Sequence, residues 1–361
     1  MLPFTIPAWL TADLPGSGGH LSDQPADFLV DEILAYEASG KGEHLYLHFE
    51  KLGLTTLEAV HRLAERLGLR ARTAGYAGLK DRNARARQWV SFPWPIKREL
   101  PKATDLSDPE GVDQHLIVRA VTRHENKIRR GHAKKNRFSI HIRGVEAGGF
   151  ERAATILESL RHKGVPNSFG PQRFGMDADN AERARRWILG EERPSGPPRI
   201  QTLILSSLQS EIFNRVLDRR IREGSLTRAL LGDVMKKHDT GGLFDVTDPS
   251  TEQPRVDACL ISPTGPLPGE KMRTATGPAK ELEDSVLGEL ALPSIALDKL
   301  GPGTRRELRY PLEPDTNLIQ LEGGYQVDVT LPGGAYATVL LAELMKPSER
   351  VVLRTTEEAE D

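Results

Sequence analysis

Apolar and polar positions along the chain switch between two periods, and the switches mark out its elements. Within Ala26 to Lys51 the sequence PADFLVDEILAYEASGKGEHLYLHFEK breaks into short alternating runs around SGKGE, a Gly-containing turn, and so predicts strands. In the second run Leu45, Leu47 and Phe49 share one face and His44, Tyr46 and His48 the other. Helical spacing follows over Leu57 to Leu67, carried by Val60, Leu63, Ala64 and Leu67, with Thr55 or Thr56 as cap and Gly68 as stop. Gln88 to Phe92 and Phe138 to Ile142 return to strand alternation. Phe150 to Lys163 reads as a helix, and so does Leu205 to Arg222, with Leu208, Ile212, Val216 and Ile221 on or near one side. Gly190 to Pro198 is rich in Pro and Gly, and Gly232 to Pro278, rich in Gly, Pro, Thr and Asp, predicts an irregular small sheet. Strands around Gly323-Gly324 (Leu318 to Leu331) and a helix over Tyr336 to Met345 close the chain. There is no repeat of solenoid period. This order is α+β, not a strict βαβα alternation.

A length of 361 residues suggests two domains. The single cysteine, Cys259, excludes a disulfide scaffold and a Cys-rich zinc site. The longest apolar run, Tyr336 to Met345, is broken by Glu343 and falls short of the roughly 18 residues that cross a bilayer. The start, MLPFTIPAWL, has no basic stretch leading into an apolar core and cleavage site, so the expectation is a cytoplasmic protein without a membrane partner. A net charge of −2 argues at first against a nucleic-acid partner, yet the charge is unevenly spread. From Arg119 to Arg143 nine Lys/Arg face only Glu125, a net +8, whereas Gly277 to Asp361 holds eight basic and sixteen acidic residues, a net −8. Two opposed fields predict a polyanion-binding face.

Three stretches could carry chemistry. In Gly75 to Arg87, Asp81 lies among Lys80, Arg82, Arg85 and Arg87. Flanking cations lower a carboxylate's pKa, which suits a nucleophile or anchored base, and they attract a phosphate backbone. The competing reading is a surface turn with local ion pairs. In Ile128 to Ile142, Arg129, Arg130, Lys134 and Lys135 can contact phosphates, Asn136 can bond a base edge, and Phe138 can stack, with Gly131 permitting close backbone approach. This predicts an RNA-gripping loop; the alternative is a solvated basic loop leading to a strand with Phe138 in the core. In NSFGPQRFG, two glycines and Pro171 fix a loop that presents Asn167, Phe169, Gln172, Arg173 and Phe174, either to buttress a site or as a tight turn with an internally bonded Asn. His44 and His48, about 13 Å apart along a strand, do not make a metal site. Gly16 to Gly19 lacks the Lys-Ser/Thr of a phosphate loop. His132 reads as a phosphate or solvent contact, and Glu357 to Asp361 as a solvated tail.

DFLVDE (Asp27 to Glu32), GKGEHLYLHFEK (Gly40 to Lys51), YAGLKDR (Tyr76 to Arg82), KNRF (Lys135 to Phe138), NSFGPQRFG (Asn167 to Gly175) and GAYATVLLAEL (Gly334 to Leu344) follow one another as in the tRNA pseudouridine synthase D (TruD) family, which the chain resembles over nearly its whole length. The resemblance implies a pseudouridine synthase fold, α+β around a mixed, largely antiparallel sheet. The catalytic domain would span 1–164 and 312–361, with an inserted α/β domain specific to the family at 165–311. It implies isomerisation of uridine to pseudouridine in tRNA, typically at position 13, with no metal or cofactor. The chemistry calls for a flipped-out nucleotide, the expected site is a cleft between the two domains lined by the basic segment, and, since nothing in the sequence demands a dimer, a monomer is expected. Asp81 matches the catalytic residue. Phe28, Asn136 and Phe138 match the target-base pocket, with Glu32 and the Asn167 to Arg173 loop nearby. The chain departs from the family's pattern at Val329-Thr330, where an aromatic often precedes LP, and at Ala342, where Arg often precedes Glu-Leu. That leaves Tyr336 as the aromatic on that side. A noncatalytic RNA-binding protein is the alternative, against which the intact YAGLKDR stands; an NTPase or oxidoreductase lacks its Gly-rich loop.

Overall fold

The computed structural model describes residues 4–22, 24–80, 82–109 and 114–347. In chain order these form β1 (Gly18–Leu21), β2 (Phe28–Leu34), β3 (His44–Leu52), α1 (Thr56–Leu67), β4 (Gly75–Tyr76), β5 (Arg85–Pro93), β6 (His115–His124), β7 (Ala133–Val145), α2 (Gly149–Lys163) and β8 (Val165–Pro166). There follow α3 (Asn180–Leu189), α4 (Pro198–Arg222), β9 (Val234–Lys237), β10 (Leu243–Asp245), α5 (Pro249–Asp257), β11 (Ile261–Leu267), α6 (Gly277–Glu289) and α7 (Ser294–Leu297). Last come β12 (Thr304–Glu307), β13 (Arg309–Tyr310), β14 (Asn317–Leu321), β15 (Gly324–Pro332) and α8 (Ala337–Met345). No described helix is long and apolar enough to cross a membrane. The described residues divide into two compact units: a sheet unit of 19–147 and 313–334, and a helical unit of 4–18, 148–312 and 335–347.

The sheet unit is built on nine strands in the order β14-β15-β7-β2-β5-β3-β6, with β1 beside β7 and β4 beside β5. β2 and β5 run parallel, while β3–β5, β3–β6, β2–β7, β7–β15 and β14–β15 are antiparallel. The alternation in β3 sets its packing: Leu45, Leu47 and Phe49 meet Val60, Leu63 and Leu67 of α1 together with Val90 and Phe92 of β5. Each such apolar side chain contributes about 1.5–3 kcal/mol by leaving water. On the other face Tyr46 is buried with Ala77 and Ile128. α1 starts with a capping box, Thr55 Oγ1 accepting from the Glu58 N–H at 3.2 Å and a Glu58 oxygen accepting from the Thr55 N–H at 2.7 Å. It stops at Gly68, whose φ of 68° is the left-handed conformation that glycine adopts without strain.

The basic stretch corrects an expectation. Its second half is no loop, because Ala133–Val145 forms the long strand β7, hydrogen-bonded along both edges. Ile33, Glu32, Asp31 and Val30 of β2 stand opposite Lys135, Asn136, Arg137 and Phe138, while β15 covers the other edge. Two ladder partners override a composition that reads as loop.

The helical unit joins a four-stranded antiparallel sheet, β10-β9-β11-β12, to a β8–β13 pair and the helices. Its core runs along the 25-residue α4, where Ile204, Leu208 and Ile212 pack with Ala184 and Ile188 of α3, and Phe213, Val216 and Leu217 with Val286 and Leu308. α4 begins at Pro198, seven residues before its apolar stripe, because proline's fixed φ suits a first turn. The whole is α+β with a mixed, largely antiparallel sheet, as the sequence implies.

Candidate active site and nucleic-acid contacts

Asp81 lies outside the described residues, and its two neighbours are tightly held. The Lys80 backbone N–H donates to Thr56 Oγ1 at 2.8 Å, and that hydroxyl donates to Gln88 Oε1 at 2.8 Å. The Arg82 guanidinium reaches Glu58 Oε1 at 2.6 Å and the Gly53 carbonyl at 3.3 Å. Further along, the buried Lys51 donates to the Ala84 carbonyl at 3.2 Å.

The Lys80 ammonium gathers the rest. It donates to Asn136 Oδ1 at 2.7 Å and lies 3.4 Å from Glu32 Oε2. Glu32 and Asn136 are cross-strand neighbours on β2 and β7, as are Val30 and Phe138. Phe28 and Phe138 meet edge to face, centroids 6.0 Å apart at 75°, over Val30, Ala84 and Ala86. Val329 stands opposite Phe138 on β15, so a small aliphatic occupies that side of the ring. Burial pushes the Glu32 carboxyl above its ordinary range, against the pull of the Lys80 charge and a 3.4 Å N–H from Trp89. Residues from DFLVDE, YAGLKDR and KNRF thus come together as an aromatic platform beside a lysine-oriented amide. With Oδ1 engaged, Asn136 keeps Nδ2 as a donor without a partner among the described residues.

The NSFGPQRFG residues belong to the other unit. Asn167 is buried and bonded throughout: its N–H reaches Leu308 O at 2.9 Å, Nδ2 reaches Glu307 O at 3.0 Å, and Oδ1 accepts from Arg306. It braces the loop. Asn214 clamps the Phe169 backbone, accepting its N–H at 2.9 Å and donating to its carbonyl at 3.0 Å. The Phe169 ring meets Phe213 at 5.4 Å and Tyr336 at 6.4 Å, and the Arg306 guanidinium lies 4.4 Å over it. Arg173 donates to Ser210 Oγ at 3.2 Å, and Gln172 is half-buried. Arg306 was missed because the short strand TRRE gives no local sign of an aromatic partner more than a hundred residues away. Ala342 lines an apolar pocket with Phe4, Trp9, Phe169 and Val339.

The cations sort differently from their order in sequence. Arg129, Arg130 and Lys134 are exposed, without an ion pair among the described residues. Lys135 pairs with Glu313 at 2.7 Å, Arg137 with Asp315 at 3.5 Å, and Arg143 with Asp27 at 2.6 Å. The two opposed fields therefore partly cancel locally, since carboxylates of the acidic stretch sit on cations of the basic one. Nor do Lys80, Arg82, Arg85 and Arg87 act as one cationic collar: they are shared among Glu32, Glu58 and Glu50. His132 is a structural contact, its Nδ1 2.7 Å from Tyr36 Oη with the rings edge to face. The Glu357 to Asp361 tail lies outside the described residues.

The family model described as tRNA pseudouridine synthase D (TruD) matches residues 7–192 and 195–344. A tRNA pseudouridine synthase D of Anaeromyxobacter dehalogenans is 45% identical over 353 residues, which cover 96% of this chain and 96% of that one. One of Thermus thermophilus is 40% identical over 338 residues, covering 94% and 92%. Among solved structures, a putative tRNA pseudouridine synthase D from Methanosarcina mazei matches with a TM-score of 0.73 at 24% identity, over 94% of this chain and 96% of that chain, a likeness of fold.

Proposed function

The chain belongs to the tRNA pseudouridine synthase D family, and from that premise we propose that it isomerises uridine to pseudouridine in tRNA, at position 13, with Asp81 as the catalytic carboxylate. The reaction exchanges an N-glycosidic for a C-glycosidic bond, so the base must be cut from the sugar, turned and rejoined through carbon, with no atom or electron gained or lost. Asp81 either attacks the sugar or removes a sugar proton to start this. The freed uracil must be retained while it turns. The Phe28–Phe138 pair offers it a ring to lie against, and Asn136 Nδ2, oriented by Lys80, offers a donor to a uracil carbonyl. A stacked uridine exposes neither its sugar carbon nor its base carbon to a side chain, so the nucleotide is flipped out. Arg129, Arg130 and Lys134, exposed and without ion pairs among the described residues, supply phosphate contacts. We take the chain to work as a cytoplasmic monomer, with 165–311 as the inserted domain and the Asn167 to Arg173 loop and Tyr336 among its RNA-contacting residues.

The observation that carries this reading is the convergence of three separate motifs on the ammonium of Lys80, the residue that precedes Asp81 in the chain. The test is Asp81→Asn and Asp81→Ala against unmodified tRNA transcripts, mapping pseudouridine by its carbodiimide adduct. Binding should persist while product disappears; turnover retained in either variant would overturn the assignment.

A further inference from the structure

Glu50 lies on β3, the middle of three neighbouring strands, and is completely buried. Its Oε1 takes Nε and Nη2 of Arg85, both at 2.9 Å, and its Oε2 takes Nε of Arg87 at 2.7 Å and Nη2 of Arg119 at 3.2 Å. His115 Nε2 stands 3.8 Å from Oε1. The two Nε–H groups, of Arg85 and Arg87, hydrogen-bond the carboxylate, and Nη2 of Arg85 and of Arg119 add ion-pair contacts to it. Three guanidinium groups on one carboxylate leave a net charge of +2, and the outer N–H groups of Arg87 and Arg119 have no acceptor among the described residues. The arginine side chains remain 37%, 32% and 42% exposed. Two surplus positive charges are thus gathered on one carboxylate despite their mutual repulsion, with their outer edges toward solvent.

Strand alternation tells which face this is. Arg85 and Arg87 alternate with Ala84 and Ala86, which pack under Phe28 and Phe138, so the arginines point from the opposite face of the sheet. With strands about 4.8 Å apart, the cations from β5 to β6 form a strip roughly 10 Å wide. Two residues along the same face, Trp89 and His48 stack at 4.8 Å and 21°, next to Asp31, whose Oδ1 is 3.4 Å from His48 Nε2. Preset guanidinium forks beside aromatic surface are the combination that grips an RNA backbone.

We propose that Arg85, Arg87 and Arg119, set in place by Glu50, form a phosphate-docking strip for the backbone of the RNA substrate on the sheet face opposite the Phe28–Phe138 platform. This rests on the reading of the chain as an enzyme acting on tRNA. A substrate held on both faces wraps the edge of the sheet unit, so binding energy is gathered away from the reacting uridine.

The test uses the whole chain and an unmodified tRNA transcript, following Kd against salt and pseudouridine formation in one series. Arg119→Gln leaves Arg85 and Arg87 on Glu50. It should weaken binding about fivefold and reduce the log–log salt slope by roughly 0.7–0.9. The RNA concentration giving half-maximal rate should rise while the rate at saturation holds. Arg119→Lys, which keeps the charge, should keep the slope. Should Arg119→Gln fail to fold, Arg85→Gln is read in the same way. An unchanged Kd and slope in the folded glutamine variant, with product still formed, removes the docking strip and spares the enzyme. A lowered slope with no product from the unaltered protein does the reverse.

Discussion

The two faces of the nine-stranded sheet each hold one buried glutamate, and the two carboxylates sit in opposite electrostatic states. Both are shut off from solvent, Glu32 at 2% exposed and Glu50 at 0%, and Glu32 has the more protein packed around it. Burial lifts both. At Glu32 only Lys80, at 3.4 Å, and one long N–H oppose it, and the carboxyl stays above its usual range. At Glu50 hydrogen bonds from Arg87 and Arg85 and the charges of Arg85 and Arg119 overcome burial and hold the carboxyl at about 2. Deeper burial with one lysine nearby leaves Glu32 raised, whereas arginine hydrogen bonds and charges aimed at the charged form outweigh the burial of Glu50. The face with an uneasy carboxylate is the one bearing the proposed chemistry; the other is a fixed electrostatic frame.

That contrast can be broken by substitution. Glu50→Ala leaves three arginines converging on an empty centre and should cost about 3 kcal/mol in urea unfolding. Because the folded carboxyl is depressed from 4.5 to about 2, its contribution to stability is present above 4.5 and fades as pH falls toward 2. Glu50→Gln should therefore flatten the acid limb of stability against pH; a limb as steep as before would mean that the arginines do not depress this carboxyl. Lys80→Ala strips Glu32 of its cation and should cost about 2 kcal/mol, of which Glu32→Gln added to it should restore a part. Glu32 has the opposite pH sign: its contribution is complete below 4.5 and is lost as pH rises through its raised value. A double variant no more stable than Lys80→Ala alone would show that Glu32 is not a charge under strain. The smallest effect belongs to Arg137→Gln. Its pair with Asp315 is 3.5 Å long and more than half exposed on both sides, so stability should move by less than about 0.5 kcal/mol.

Local signals were legible and long-range ones were not. The α1 cap and stop are written within fourteen residues, Thr55 to Gly68, and the structure uses both. The apolar face of β3 was equally plain, because alternation is a property of one strand. The alternation that predicts β7 begins only at Phe138; its start, AKKNR, is polar after Ala133 and becomes strand by pairing with β2 and β15. Lys80, Asn136 and Phe138 stand out within their own stretches, as a cation beside Asp81, a base-edge donor and a stacking ring, whereas Phe28 and Glu32 came from the family resemblance, since no local pattern joins residue 32 to residue 136. Glu50 gave no sign at all. In sequence it is one acid in a strand, and its meaning lies in arginines on the two adjacent strands.

The start of α1 carries a consequence for motion. Glu58 closes the helix cap with one oxygen and holds Arg82 with the other, and Thr56 takes the Lys80 amide on its hydroxyl. Fraying of that first turn would loosen Lys80 and Arg82 together, so the held neighbours of position 81 share an opening route with the start of the helix.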